Sequence, residues 1–304
     1  MKIGVIVPQG WVGEFNGWDA AEAWSRTRDV AWQAEALGFE SIWLFDHFHT
    51  VPKPTNEITF EAFTSLSALA AETRRVRVGH VVLCAAYRNA ALTAKMISTL
   101  DVISNGRTEL GIGAGWKRDE WLAYGYGFPE ARERLAILGD HLAVIRAMMN
   151  PDPQVRARFE GDHARVDGAI NIPRPIQQPG VPIMVGGNGP NVTWRLAAQF
   201  ADELNLDGMK PAEVREAMPV IASRCNEIGR DPASLRVSVH VWWESLPESG
   251  QARIDMLGAY ADLGVSRVIA LVRQSVDSDD ALAAWADDAR AAGVEMHDSH
   301  ALGA

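Results

Sequence analysis

The adjacent pair Asp46-His47 is the first place where the sequence could carry chemistry, because it follows an apolar segment, residues 41–45, that predicts a buried strand. An imidazole titrates near neutral pH, so His47 could donate a hydrogen bond to a bound carbonyl or carry a proton. The alternative is that its ring nitrogens only bind polar groups of their own loop. His49 lies two residues further on, but without a nearby cysteine or glutamate the two histidines predict no metal site.

Two glycine-rich segments follow other predicted strands and could hold a cofactor. Residues 111–116 read GIGAGW, and residues 186–190 read GGNGP just before a predicted helix. Without a Cβ, glycine lets the backbone approach a flat ligand or a phosphate, and a helix N-terminus favours an anion. Each segment could equally be a packing contact or a tight turn. Together they favour a planar, phosphorylated cofactor.

Several of the 11 tryptophans also lie at or near predicted strand ends, namely Trp11, Trp43, Trp116, Trp242 and Trp243. Indole rings could form the walls of a pocket for an aromatic ligand. Packing in the core or at its rim is the simpler interpretation for most of them.

The elements that must position these residues alternate between strands and helices. Strands are predicted at 2–7, 41–45, 76–83, 108–113, 183–185, 203–206, 235–242 and 267–271. Helices are predicted at 19–37, 60–73, 90–103, 130–149, 192–200, 211–228, 251–263 and 279–292. The helix at 130–149, a small β-hairpin within 158–172 and a Pro-rich connector at 173–182 form a predicted insertion between units four and five.

This alternation predicts an α/β fold, a (β/α)8 TIM barrel formed by residues 1–304 as a single domain. A doubly wound sheet is the rival, but the first strand ends in Pro8-Gln9-Gly10-Trp11 and not in a phosphate-binding loop. In a barrel, the carboxyl ends of all strands share one rim, so the candidate residues would meet there.

Composition limits the classes of partner. The chain is 47% hydrophobic and 22% charged, as in globular proteins, and its net charge of −10 opposes binding to nucleic acids or anionic membranes. It has no apolar run of the roughly 20 residues that span a bilayer. Two isolated cysteines, Cys84 and Cys225, suit a reducing compartment, so a cytoplasmic protein is expected.

Six segments carry a recognisable pattern: WLFDH at 43–47, YRNAALTAK at 87–95, STLDVISNGR at 98–107, LGIGAGW at 110–116, PRPIQQP at 173–179 and PIMVGG at 182–187. Together they resemble the bacterial luciferase-like superfamily, in particular its branch of oxidoreductases that depend on the deazaflavin coenzyme F420. The resemblance implies a barrel with an insertion, a homodimer, and hydride transfer between the deazaflavin C5 and a small organic substrate.

The resemblance also implies site residues. Asp46 and His47 would lie beside the deazaflavin ring, with His47 as the catalytic proton carrier. A bulge with a non-prolyl cis peptide, which maps to His80-Val81 and continues into Val82 and Leu83, would back the ring. The remaining implied cofactor contacts are Gly113, Ala114, Gly115 and Trp116 at the ring, and Gly186, Gly187, Asn188 and Gly189 at the phosphate.

Two features narrow the function that the resemblance implies. Sugar-phosphate dehydrogenases of that branch carry a catalytic glutamate where this chain has Trp116, which argues against glucose 6-phosphate as the substrate. The tryptophan-rich rim favours an apolar or aromatic substrate. Two alternatives stay open: an FMN-dependent two-component monooxygenase of the same superfamily, and a catalytically idle barrel that only binds a cofactor.

Overall fold

A computed structural model describes residues 1–297 of the chain. Its strands are β1 (Lys2–Ile6), β2 (Ser41–Leu44), β3 (Arg77–His80), β4 (Leu83–Cys84), β5 (Thr108–Gly113), β6 (Ala157–Glu160), β7 (Arg165–Ala169), β8 (Ile183–Gly186), β9 (Glu203–Asp207), β10 (Arg236–Val241) and β11 (Arg267–Ala270). Its helices are α1 (Ala20–Leu37), α2 (Ala62–Glu72), α3 (Ala90–Ile103), α4 (Arg118–Ala123), α5 (Ala131–Met148), α6 (Thr193–Phe200), α7 (Pro211–Asn226), α8 (Gln251–Asp262) and α9 (Asp279–Ala291).

The main sheet is parallel and closes on itself. Strand β1 pairs with β2 on one side and with β11 on the other, and the pairing of β3 with β5 completes the ring. Strand β4 is a two-residue extension beside β5, reached from β3 through a bulge. The predicted (β/α)8 barrel is therefore confirmed.

Local sequence signals explain where the helices begin and end. Asp19 caps α1 by accepting hydrogen bonds from the backbone N–H groups of Ala21 and Glu22, and Gly38 ends this helix with a φ of 88°. Asn89 caps α3 in the same way as Asp19 caps α1. The short helix α4 was not predicted, because six residues are too few to show a helical period.

The segment between β5 and β8 contains α4, α5 and an antiparallel hairpin formed by β6 and β7. Helix α5 was predicted to be part of the insertion, but it packs between α3 and α6 and is therefore the fourth helix of the ring around the barrel. The hairpin belongs to a separate two-stranded sheet.

The barrel interior is filled by Trp43, which was a candidate pocket residue in the sequence. Its ring is fully buried and lies against Gly79 and Gly4, where a Cβ would collide with the indole. Below it, at the amino ends of the strands, the buried Arg267 guanidinium bonds to both carboxylate oxygens of Glu109 at 2.7 and 2.8 Å. This end of the barrel is closed by core packing and paired charge, so a ligand must enter from the other end.

None of the helices within residues 1–297 has the length and the apolar character of a membrane span.

Candidate active site

A cavity of about 280 Å³ opens at the carboxyl ends of the barrel strands. Its lining includes Asp46, His47, Val81, Val82 and Leu83, together with the segment from Gly113 to Trp116 and both Gly186 and Gly187. Most of the residues implied by the family resemblance are therefore brought together by the fold. His80, Asn188 and Gly189 are the exceptions.

The bulge after β3 differs from its predicted position by one peptide bond. The cis bond joins Val81 to Val82, and not His80 to Val81. His80 is fully buried behind the cavity wall, against the ring of Phe63. Burial lowers the pKa of His80 to about 3, so its ring stays neutral. His80 is not among the residues that line the cavity. The sequence pattern locates the strand, but it does not show which peptide bond of the following bulge is cis.

The glycines of β5 and β8 make room for this bulge. A Cβ on Gly113 would lie 2.9 Å from Val82 Cγ2, and a Cβ on Gly186 would lie 2.8 Å from Val82 Cγ1. Both distances are too short for real carbon contacts. These glycines therefore serve as packing contacts, and the room that they leave lets the Val82 backbone reach the cavity.

Asp46 fixes the bulge from the other side. Its carboxylate accepts hydrogen bonds from the backbone N–H of Cys84 at 2.9 Å and from both terminal nitrogens of Arg88 at 2.8 and 2.9 Å. Arg88 also binds Glu61 at 2.9 Å. Asp46 is almost fully buried, and both of its carboxylate oxygens accept hydrogen bonds, so it links the end of β2 to β4.

His47 stands at the rim of the cavity in a fixed orientation. Its ring stacks on Trp11 with centroids 4.3 Å apart and an angle of 6° between the planes. Its Nδ1 lies 2.8 Å from Glu120 Oε2. With Nδ1 held by a carboxylate, Nε2 is the nitrogen left for a ligand.

Glu120, on α4, is the hydrogen-bond partner of His47 and was not among the residues predicted from the sequence. Its side chain is fully buried, and it also accepts from the Phe48 backbone N–H at 2.8 Å and from the Tyr87 hydroxyl at 3.2 Å. Burial by itself raises the pKa of Glu120, but these bonds, led by that of His47, hold it below its ordinary value. The only sequence signal was a glutamate four residues after Trp116, in a helix too short to recognise.

The loop after β8 contributes only part of its predicted contacts. Gly187 lines the cavity and has a φ of +132°, a conformation that favours glycine. Asn188 instead bonds through its side-chain amide to the backbone N–H and C=O of Asp207, both at 2.8 Å. Thr193, the first residue of α6, lines the cavity in its place. The helix N-terminus therefore does face the cavity.

The opposite wall comes from β9 and β10, and Trp242 is its one member that was a candidate in the sequence. It consists of Asn205, Asp207, His240 and Trp242. Trp242 lies against Trp11 and stacks on Phe45, so an aromatic row runs from His47 to His240 across this side of the cavity. Of the five candidate tryptophans, Trp11, Trp116 and Trp242 line the cavity.

Comparison with known proteins places the chain among relatives of the same architecture. Residues 1–302 match the family model described as luciferase-like monooxygenase. The chain belongs to this family. The superfamily resemblance read from the six sequence segments is confirmed.

Named relatives of this luciferase-like protein include coenzyme F420-dependent enzymes. The F420-dependent glucose-6-phosphate dehydrogenase of Kineococcus radiotolerans is 38% identical over 54% of this chain and 47% of its own length. The 5,10-methylenetetrahydromethanopterin reductase of Methanolobus tindarius is 26% identical over 72% of this chain and 61% of its own length. The match therefore spans about half to two thirds of these relatives.

Solved structures agree on the fold. An F420-dependent secondary alcohol dehydrogenase in complex with an F420-acetone adduct has a TM-score of 0.75 at 19% identity, covering 93% of this chain and 98% of that one. The monooxygenase RslO1 from Streptomyces bottropensis has a TM-score of 0.71 at 19% identity, covering 95% and 98%. At these identities, the likeness concerns the barrel alone.

Within residues 1–297 of this luciferase-like protein, no group of three or more His, Cys, Asp or Glu side chains is arranged to hold a metal ion.

Proposed function

We propose that this luciferase-like protein is an F420-dependent oxidoreductase, which transfers a hydride between the deazaflavin C5 and a small organic substrate. The observation that carries the proposal is the His47–Glu120 pair at the edge of a cavity walled by aromatic rings and by the Val81–Val82 bulge. The F420 dependence named for several relatives supports the choice of cofactor.

The cavity fits such a cofactor. Val81, Val82 and Leu83 present an apolar surface on which a planar ring can lie. Gly187 and Thr193 lie where the N-terminus of α6 faces the cavity, and the backbone dipole at this end favours a phosphate. When bound, F420 supplies the hydride chemistry, and the protein supplies position and protonation.

The protein residues then have separate tasks. His47 holds or receives a proton at Nε2, the nitrogen that faces away from Glu120. Glu120 orients the ring and keeps Nδ1 protonated. Asp46 and Arg88 position the backbone at Cys84, directly after the bulge, and do not carry the reacting proton.

The substrate is proposed to be apolar or aromatic, because Trp11, Phe45 and Trp242 form the wall beside His47. Glucose 6-phosphate is not proposed, although relatives are named for it, because the family resemblance implies a catalytic glutamate at the position of Trp116, whose side chain is exposed. The resemblance also implies a substrate phosphate near Lys210, but this residue is exposed at the N-cap of α7 and does not line the cavity.

We also propose that the protein is a cytoplasmic homodimer that joins through an apolar surface around α3. Lys95 on α3 contacts the backbone of Ile172, which brings the helix and the segment after β7 together. The exposed apolar side chains of this surface are Leu92, Val102, Ile103, Ile170, Ile172 and Ile176. Light scattering of the wild type and of Ile172→Asp tests the dimer. The wild type should have twice the mass of the monomer, and the variant should have a lower mass than the wild type.

Parallel titration with oxidised F420 and with FMN tests the cofactor, with tryptophan fluorescence as the readout. F420 should bind at least tenfold more tightly than FMN, about 1.4 kcal/mol in binding free energy. Tighter FMN binding would favour the monooxygenase alternative, which the name of the family supports. Turnover of reduced F420 with any organic acceptor would exclude an idle barrel.

A further inference from the structure

Three Asp or Lys side chains line the cavity, and Asp207 differs from the other two in its charge balance. Asp46 pairs with Arg88 at 2.8 Å, and Lys117 pairs with Asp119 at 3.1 Å. Among residues 1–297, no Lys or Arg forms a salt bridge with Asp207. The wall of the cavity therefore carries one carboxylate that no lysine or arginine neutralises.

The Asp207 carboxylate is held in place at the carboxyl end of β9. The side chain of Asn188 bonds to the backbone N–H and C=O of Asp207, and Trp242 Nε1 donates to Oδ1 at 2.7 Å. Oδ1 also lies 3.0 Å from His240 Nε2, without the alignment of a hydrogen bond. Oδ2 accepts no hydrogen bond from the described part of the chain, and 52% of the side chain is exposed. One oxygen is therefore anchored, and the other is available to a ligand.

This carboxylate is ionised at neutral pH. Burial by itself raises the pKa of Asp207, but the contacts with His240 and Trp242 outweigh burial and hold the pKa below its ordinary value of 3.8. A ligand that fills the cavity takes water away from this charge, and an ionised group that loses its water without gaining a partner costs free energy. A ligand with a positive group at this place supplies the partner, whereas an anionic ligand adds repulsion.

Aromatic rings adjoin the carboxylate and define the rest of the ligand. Trp242, which donates to Asp207, stacks on Phe45 with centroids 5.5 Å apart and an angle of 11° between the planes. The Trp11 ring lies 5.6 Å from that of Trp242. Such rings favour apolar or aromatic groups, and they also tolerate a cation beside them. The carboxylate and the rings together fit an apolar body that ends in a positively charged nitrogen.

We propose that Asp207 binds the substrate, by accepting a hydrogen bond from a protonated amine that the apolar or aromatic body of the substrate carries. The assignment to the substrate rests on the proposed function, in which the cofactor contacts come from the segments after β2, β3, β5 and β8. Asp207 ends β9, which contributes none of those contacts. The ammonium group serves recognition and takes no part in the hydride transfer.

Three probes test the proposal by calorimetry under nitrogen at pH 7, on the protein loaded with reduced F420, which cannot accept a hydride from them. Benzylamine carries an ammonium group, benzyl alcohol carries a neutral hydroxyl in the same place, and benzoate carries a carboxylate. The wild type should bind benzylamine about tenfold more tightly than benzyl alcohol, because both partners of the hydrogen bond are then charged. Benzoate should bind most weakly.

Variants assign the preference for benzylamine to one side chain. Asp207→Asn keeps the shape but removes the charge and should bring the ratio of the two Kd values close to one, whereas Asp207→Glu keeps the charge and should retain part of the preference. Asp167→Asn is the matched control, because it removes the same charge from an exposed aspartate of β7 outside the cavity. This control should keep the wild-type ratio. Circular dichroism verifies that each variant is folded.

Each of four results would overturn the proposal: no preference of the wild type for benzylamine, an unchanged ratio in Asp207→Asn, an equal fall of the ratio in Asp167→Asn, or tightest binding of benzoate. A loss of F420 affinity in Asp207→Asn as large as the loss for benzylamine would assign the residue to the cofactor instead. If the wild type takes up no F420, the proposed function fails, and the same ratio measured on the unloaded protein still tests Asp207.

Discussion

Two histidine–carboxylate pairs face the same cavity, and they differ in how their carboxylates are held. Glu120 beside His47 has 0% of its side chain exposed and bonds to a backbone N–H and a tyrosine hydroxyl as well. Asp207 beside His240 has 52% of its side chain exposed and no aligned bond to the histidine. The first pair is sealed and fixes the tautomer of His47, whereas in the second pair Nε2 of His240 forms no aligned hydrogen bond within residues 1–297.

The comparison teaches that a neighbouring carboxylate does not define one role for its histidine. At His47, the Glu120 carboxylate binds Nδ1 and leaves Nε2 for the proposed proton transfer. At His240, the Asn205 amide oxygen binds Nδ1 at 2.7 Å, and the Asp207 carboxylate lies 3.0 Å from Nε2 without an aligned hydrogen bond. We therefore expect proton transfer at the sealed pair.

The largest expected effect is that of His47→Phe. This change keeps the ring on Trp11 but removes the nitrogen that carries the proton, so kcat should fall by roughly 10²–10⁴ while the Kd for F420 changes by less than about threefold. Steady-state kinetics and fluorescence titration measure the two effects. A kcat within about threefold of the wild type would reduce His47 to a ring contact.

Glu120→Gln should have the next largest effect, on stability. Because the pKa of Glu120 is lowered by folding from an ordinary value of 4.5, its ionised form contributes stability above that pH, and this contribution is lost as the pH falls through the folded value. The variant should lose about 1–3 kcal/mol of unfolding free energy at pH 7. Urea titrations should show that the difference from the wild type shrinks below pH 4.5.

Thr193→Asp separates cofactor affinity from the chemistry of both pairs. An aspartate in the first turn suits α6, but its charge would face the cofactor phosphate, so the Kd for F420 should rise at least tenfold, about 1.4 kcal/mol, with the fold intact. Thr193→Ser is the matched control and should keep the wild-type Kd. This position is preferable to Gly187, whose φ of +132° makes any side chain strained. An unchanged Kd for F420 in Thr193→Asp would mean that the cofactor phosphate does not bind at this loop.

The smallest effect is expected for Asp207→Asn, the counterpart of Glu120→Gln in the open pair. Because half of the Asp207 side chain is exposed, the unfolding free energy should fall by less than about 1 kcal/mol. A loss as large as that of Glu120→Gln in the same urea titration would mean that the two pairs are held alike, which contradicts the comparison.

The sequence predicted the barrel well because each βα unit is encoded locally. Residues 90–103 and 108–113 show this best: a capping asparagine, an apolar helix face and a short strand lie within one segment, and the structure has the same bounds. His47 was found for a similar reason. It follows a strand directly, and every parallel strand of a barrel ends at the same rim.

The remaining parts of the site depend on pairs that are distant in the sequence. Glu120 lies 73 residues from His47, and Asn205 lies 35 residues from His240, so no local pattern connects them. The position of the cis bond, the use of Gly113 and Gly186 as room for Val82, and the burial of Trp43 in the core were likewise outside the reach of periodicity.

By itself, the sequence determined the eight units, the rim and the family pattern, because propensity, capping and hydrophobic spacing act within a few residues. Only the tertiary structure decided which nitrogen of each histidine is held and which is free. That choice depends on the closure of the barrel, which brings α4 beside the loop after β2 and sets β9 beside β10. It also depends on burial, because a buried polar atom without a hydrogen bond is destabilising.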